Sequence, residues 1–323
     1  MAEQIELSAV VPMDLGGQRL DRVAAHCFPD YSRSRLQEWI RGGQLTVDQH
    51  QRKTKDKLVG GETLRVQVAV EDEERWDPEA MALDILYEDD SILVLNKPAG
   101  LVVHPGAGNP QGTLLNGLLH HCPDNASVPR AGIVHRLDKD TTGLMVVAKT
   151  LAAHTDLVEQ LQARSVSREY EAVTMGVMTA GGTVDEPIGR HPTQRIRMAV
   201  NASGKPAITH YRVLQKYRHH THVRVGLETG RTHQIRVHMS HIHFPLVGDP
   251  VYAGRLRLPA GATDELQRAL QGFHRQALHA CQLGLYHPTK DEYMEWQVPL
   301  PEDFQNLLSV LEQDQQAHDA LDA

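Results

Sequence analysis

Residues 132–150 read "GIVHRLDKDTTGLMVVAKT". Two apolar runs flank a knot of charge made of His135, Arg136, Asp138, Lys139 and Asp140. Thr141, Thr142 and Gly143 then turn the chain into Leu144–Ala148, a short continuous apolar run of the kind a buried strand shows. A carboxylate therefore stands between an Arg and a Lys at the mouth of a buried strand. An unperturbed Asp titrates near 3.9, and an adjacent cation lowers that by roughly one to three units. Asp138 is expected to stay ionised even in a dry pocket, where it would serve as a nucleophile or an electrostatic stabiliser rather than a general acid. Spacing alone leaves a structural ion pair equally open. Asp140, two residues on, is expected to order the turn through its own backbone bonds. A carboxylate pair for glycoside hydrolysis would need a separation that Asp-x-Asp on a turn does not set.

Outward from this stretch, strands alternate with helices. "LDILYEDDSILVLNKP" reads as strand–turn–strand, "GTLLNGLLHH" as a helix, "LAAHTDLVEQLQAR" as an amphipathic helix and "SREYEAVTMG" as a strand. "AITHYRVLQKY" and "HTHVRVGLET" alternate like a hairpin, and "RTHQIRVHMSHI" follows as a helix starting near Thr232. "QALHACQLGLYHP" and "EYMEWQVPL" are late strands, and "EDFQNLLSVLEQ" closes the chain as a helix. The pattern is α+β with a mixed, mainly antiparallel sheet over residues 76–323.

A smaller domain is expected ahead of it, at 17–75. Leu20, Val23, Ala24 and Phe28 share one helical face, and Leu36, Trp39 and Ile40 share another, with Ser32 as N-cap and Gly42–Gly43 as the stop. Gln44–Val47 and Glu62–Val68 read as short strands. With the apolar faces committed to a core, Arg19, Arg33, Arg35 and Lys53 are among the basic side chains left to face outward. Residues 71–80, "EDEERWDPEA", read as a linker.

The net charge is −8, yet the charge is not evenly spread. Residues 71–90 carry ten acidic residues against one Arg, whereas 190–257 carry twelve Lys/Arg against two acids. Two basic regions, 17–57 and 190–257, in an acidic chain point to a local polyanion-binding surface. No run approaches the length of a membrane span, and the start, "MAEQIELSAV", lacks the regions of a signal peptide. Cys27, Cys122 and Cys281 lie far apart and form no CxxC pair, which fits a reducing cytoplasm.

Further candidates for chemistry lie outside the charged knot. In "LETGRTHQIRVHMSH", 227–241, a rigid helix could present Arg236 as a bidentate clamp for a carboxylate. Burying an unpaired Arg costs several kcal/mol, so a partner such as Asp138 is expected. Tyr170, inside a strand, is more often core packing, but its hydroxyl is a polar handle where it borders a pocket. The 20 histidines include the clusters His219–His220–His222 and His233–His238–His241–His243, without HExxH or finger spacing, so no metal is expected and a basic or solvated surface is the preferred reading. Neither GxxxxGK[ST] nor GxGxxG occurs, so a nucleotide cofactor has no support. "VHPGAGNPQGT" reads as an ordered loop.

"GIVHRLDKDTTGLMVVAK" resembles the catalytic motif of the RluA family of pseudouridine synthases. "NKPAGLVVHPG", "SREYEAV", "ETGRTHQIRVHM" and "HFPLVGDPVYAG" match that family's other blocks in order, over residues 84–300. Residues 17–68 resemble the S4 RNA-binding domain that precedes many members, except that its hairpin usually turns through Asn-Gly where this chain has "VDQHQRK". The resemblance implies a cofactor-free, metal-free isomerisation of uridine in large-subunit ribosomal RNA, in the stem-loop facing the decoding region. It implies Asp138 as the catalytic aspartate, Tyr170 as a tyrosine stacking on the uracil and Arg236 as the aspartate's partner. It further implies RNA contacts from Arg136, Lys97, His104 and Arg231, with Arg19, Arg33, Arg35 and Lys53 serving the S4-like module. The carboxylate could attack the sugar or ring, or remove the ribose 2′ proton. The rival readings are a non-catalytic RNA-binding ribosome-assembly factor and a metal-dependent hydrolase built on the histidines.

Overall fold

The computed structural model describes residues 4–29, 31, 33–69, 76–106, 108–194 and 197–320. Ser32 and residues 71–75 of the expected linker lie outside the described residues. The chain divides into two compact units, Met1–Arg75 and Trp76–Ala323.

In the first unit, β1 (Gln4–Val10), α1 (Leu20–Cys27), α2 (Arg33–Gly42), β2 (Leu45–Val47) and β3 (Thr63–Ala69) follow one another. The strands form an antiparallel sheet in the order β1-β3-β2. The faces expected to be apolar are buried: Leu20, Val23 and Ala24 of α1 and Leu36, Trp39 and Ile40 of α2 pack on Leu45, Val47, Leu64 and Val66. After β2, Asp48 and Gln49 both take left-handed φ angles, 48° and 68°. Val47 and His50 exchange backbone bonds of 2.9 Å across them. The departure from Asn-Gly thus keeps a tight hairpin turn of the I′ kind, with Asp in place of Asn and Gln in place of Gly. The Asp48 carboxylate accepts the Thr63 N–H at 2.9 Å and braces that turn.

The second unit begins with β4 (Ile85–Glu88), β5 (Ile92–Lys97), α3 (Leu114–His121), β6 (Thr142–Ala148), α4 (Leu151–Ala163) and β7 (Ser167–Met175). It continues with β8 (Gly182–Asp185), β9 (Ile188–Arg190), β10 (Met198–Val200), β11 (Ile208–Lys216), β12 (His220–Leu227) and α5 (Gln234–His241). It ends with α6 (Asp264–Gly272), β13 (Leu278–Tyr286), β14 (Tyr293–Gln297) and α7 (Glu302–Asp319). Among the described residues the main sheet has nine strands, in the order β4-β5-β6-β13-β7-β12-β11-β8, with β14 also on β13. Among the described residues only β6 and β13 run parallel. β9 and β10 form a separate ribbon.

On the edge away from β7, β13 changes neighbour along its length. His279 and Ala280 pair with Thr142 and Gly143 of β6, and Gln282 onward pairs with β14. The sheet forks there. Gly143 sits at the crossing with φ of 112°, and a Cβ on it would collide with the backbone of Ala280. Both faces of β6 are buried, as its unbroken apolar run requires. Met145 and Val147 join α3 and α5 on one side; Leu144 and Val146 join α4 on the other. A third apolar cluster, around Phe304, Leu307 and Leu311 of α7, seals α6 against Val173 and Val247.

Candidate active site

The charged knot becomes the loop that enters β6, and polar contacts hold it. His135 Nε2 accepts the Val146 N–H at 3.1 Å. Burial, with help from Arg168, pushes the His135 pKa down to about 3, so the imidazole remains the neutral acceptor this bond needs. Thr141 N–H closes the turn on the Asp138 carbonyl at 3.1 Å, and Gln276 donates to the Thr141 hydroxyl at 2.9 Å. Backbone and neighbouring side chains, rather than the Asp140 carboxylate, make these closing bonds. A further tether comes from below: the Lys97 ammonium donates to the carbonyls of Pro98 (2.8 Å), Leu101 (3.0 Å) and Lys139 (2.8 Å).

This placement corrects the expectation that Lys97 meets RNA. Its side chain is wholly buried at the end of β5, and all three ammonium hydrogens go to backbone carbonyls. Burial pushes its pKa down to about 7, with Asp140 and Asp138 pulling it back up. Lys97 is a positioning residue under the loop.

Asp138 faces a cavity of about 1110 Å³ with 18% of its side chain exposed. Its Oδ2 accepts from Arg236 Nη1 at 2.8 Å. Its Oδ1 lies 3.9 Å from His233 Nε2. The helix bearing Arg236 starts at Gln234, two residues later than expected, with His233 in the left-handed region at φ 56° as its N-cap. Arg236 therefore sits in the first turn of α5, 5% exposed.

Its bidentate partner is not Asp138. The fork made by Nε and Nη2 grips Asp249 at 2.7 and 2.9 Å, leaving Nη1 for Asp138. Asp249 is buried and also accepts the N–H groups of Val251 (2.8 Å) and Tyr252 (3.0 Å). The Tyr252 ring lies under the guanidinium, 5.1 Å from Cζ, and its hydroxyl bonds His233 Nδ1 at 2.8 Å. Arg236 is held from three sides and offers one N–H to the cavity. Its pKa is raised by Asp249 and Asp138, against the effect of burial.

Tyr170, on β7, lines the same cavity; burial raises the pKa of its phenol. Its hydroxyl makes no hydrogen bond among the described residues. Arg168, two residues earlier, is 8% exposed and lines the cavity with no partner for its Nε. Arg136 and Arg231 line the cavity as well, Arg136 exposed and Arg231 anchored on the Pro206 carbonyl at 3.0 Å. His104 does so too, its Nδ1 against the Pro105 carbonyl and its ring edge-on to Trp76. Loop, sheet and the first turn of α5 thus bring Asp138, Tyr170, Arg236, Arg136, Arg231 and His104 together.

A family model described as RNA pseudouridylate synthase matches residues 91–241, a span that holds Asp138, Tyr170 and Arg236. Ribosomal large subunit pseudouridine synthase D of Yersinia pestis is 60% identical over 315 residues, covering 97% of this chain and 97% of that protein. Its namesake from Pseudomonas aeruginosa is 61% identical over 317 residues, covering 98% and 99%. The chain belongs to the RNA pseudouridylate synthase family. Among solved structures, Human RNA Pseudouridylate Synthase Domain Containing 4 matches with a TM-score of 0.55 at 28% identity, over 71% of this chain and 92% of that one.

Reasoning from sequence missed four residues that line or brace this candidate site: Arg168, His233, Asp249 and Tyr252. Asp249 and Tyr252 were visible in "VGDPVYAG", because a buried Arg clamp calls for a carboxylate and the block supplies one beside an aromatic ring. The basic stretch 190–257 also proves less free than its composition suggests. Arg218 pairs with Asp314, Arg224 with Glu171 and Glu169, and Arg236 with its two aspartates. The histidines do not converge: His238 bonds Thr209 and the Glu186 carbonyl, and His222 bonds Glu171. In the first unit, Arg19 and Arg33 share the buried Asp21, Arg35 lies over the Trp39 ring, and Lys53 is exposed. No helix among the described residues is long and apolar enough to cross a membrane.

Proposed function

We propose that this synthase converts uridines of large-subunit ribosomal RNA to pseudouridine, with Asp138 as the catalytic carboxylate. The observation that carries the reading is the division of labour at Asp138: Oδ2 is anchored by Arg236 and the side chain fronts a cavity large enough for an extrahelical nucleotide. The target class follows from the named large-subunit synthases, whose full length this chain matches; the stem-loop facing the decoding region is the first place to look.

The reaction breaks the ribose C1′–N1 bond and forms C1′–C5; the C5 proton leaves and N1 takes up a proton, so the product is an isomer. The freed uracil must stay and turn. The Tyr170 ring supplies a surface that retains it. Asp138 either attacks C1′ or the ring, or takes the 2′ proton; both roles use an anchored carboxylate that needs no reorganisation. The uridine has to leave its stack, at a cost of a few kcal/mol that is least in loops. Arg136, Arg168 and Arg231 around the cavity suit its phosphates, and the first unit, read as S4-like over 17–75, adds Arg19, Arg33, Arg35 and Lys53 as salt-sensitive backbone contacts.

The test is tritium release from large-subunit RNA labelled at uracil C5. Asp138→Asn is expected to bind RNA as the native chain does and to release no tritium. Tritium release at the native rate would refute the assignment.

A further inference from the structure

Segment 247–251 borders two cavities. Pro250 and Val251 line the catalytic cleft, and Val247, Gly248, Asp249 and Pro250 line a second pocket of about 400 Å³. The floor of this pocket is apolar, built from Val247, Leu270 and Phe273. Its rim carries Arg255, Arg257 and His274, all exposed and without an ion-pair partner among the described residues. His220 also lines it, 3% exposed, with an imidazole that makes no hydrogen bond within the described residues. Burial holds that imidazole neutral, its pKa near 4. A buried, unused hydrogen-bonding group over an apolar floor suits a flat heteroaromatic ring with polar edges. Cations at the mouth suit the phosphates on either side of it.

We propose that this pocket binds a second unpaired nucleotide of the RNA substrate, distinct from the uridine at Asp138. The base lies on Val247, Leu270 and Phe273, its edge meets His220, and its flanking phosphates meet Arg255 and Arg257. Single-stranded RNA is read through such splayed bases, and a base gains affinity by stacking against an aromatic side chain such as Phe273. The volume falls within the range of small-ligand pockets. Because Asp249 lines the pocket and also grips Arg236, the second nucleotide registers the RNA against the same segment that fixes the catalytic pair. The inference rests on the RNA-modifying reading above.

The decisive variant is Arg255→Gln with Arg257→Gln in the full chain; both side chains are exposed, so folding is unaffected. With labelled large-subunit RNA it is expected to raise KM at least tenfold, leave kcat within twofold, and flatten the salt dependence of binding. A benzophenone amino acid replacing Leu256, at the pocket mouth, is expected to crosslink one nucleotide near the isomerised uridine but different from it. Unchanged KM in the double variant would overturn the proposal. So would crosslinks scattered along the RNA or falling on the isomerised uridine, or free AMP or UMP binding that the double variant loses while its RNA KM stays native. If the native chain released no tritium, the parent reading would fail instead, and crosslinking, which needs no turnover, would still decide the pocket.

Discussion

Arg236 holds Asp249 with two bonds and Asp138 with one, so mutation of the two aspartates should cost the fold very different amounts. In Asp249→Asn the fork loses its charged partner, and an amide must fit where two N–H groups converge. Removing one partner of a buried ion pair costs about 3–5 kcal/mol. A unit of this size loses about 2–4 °C of Tm per kcal/mol, so the second unit should melt about 6–20 °C lower. Asp138→Ala leaves Arg236 bound to Asp249, and water can reach the vacated Nη1 through the cavity. Its cost should be about 1 kcal/mol or less, as for partly exposed pairs. Thermal melting of the full chain, followed by circular dichroism, reads both. Activity should fall in both variants, by loss of the reactive group at 138 and by misplacement of Arg236 at 249. A larger drop in Tm for Asp138→Ala than for Asp249→Asn would refute the view that Asp249 is the structural anchor.

Lys97→Met should reduce kcat at least tenfold with a modest change in stability: relief of a buried charge offsets carbonyls left unpaired at roughly 1–3 kcal/mol each, while the tether at Lys139 is lost. Native kcat in that variant would show that the tether does not position Asp138. His135, His220 and His279 have pKa values of about 3, 4 and 4 in the fold, against about 6.5 unfolded. Between pH 6.5 and 4 the unfolded chain binds more protons, so each should remove about 1.4 kcal/mol of stability per pH unit on acidification; urea midpoints that do not fall over this range would contradict their burial as neutral groups. Arg168→Gln should leave Tm unchanged or raise it, since a poorly satisfied buried cation is removed, while KM for RNA rises and the salt dependence of binding weakens. A large drop in Tm would mean that Arg168 holds the sheet rather than the substrate.

The pairing of Asp138 with Arg236 was legible because a buried guanidinium must find a carboxylate, and the two strongest motifs each offered one half. Most elements of the second unit were legible for a similar reason: long, strongly periodic runs commit to one structure. β1 was overlooked although Ile5, Leu7 and Ala9 alternate. β9 and β10, three residues each, are too short to carry a period. Lys97 was misplaced because nothing local distinguishes a lysine that ends a strand in solvent from one capped by three distant carbonyls. The role of Asp249 depended on a turn bringing it back to a helix thirteen residues earlier, and spacing does not encode that return.

A strand that is apolar on both faces carries little information about which residue belongs where, because sliding it by one position exchanges one buried side chain for another. β6 is such a strand, and Asp138 hangs from its first residue by a four-residue lead. Gly143 supplies the missing zero mark: only at that position can the chain pass so close to Ala280. The address of the candidate carboxylate is thus written in the one residue of β6 that has no side chain, and moving that glycine by a single place should shift the whole loop that carries Asp138 while leaving the hydrophobic core nearly content.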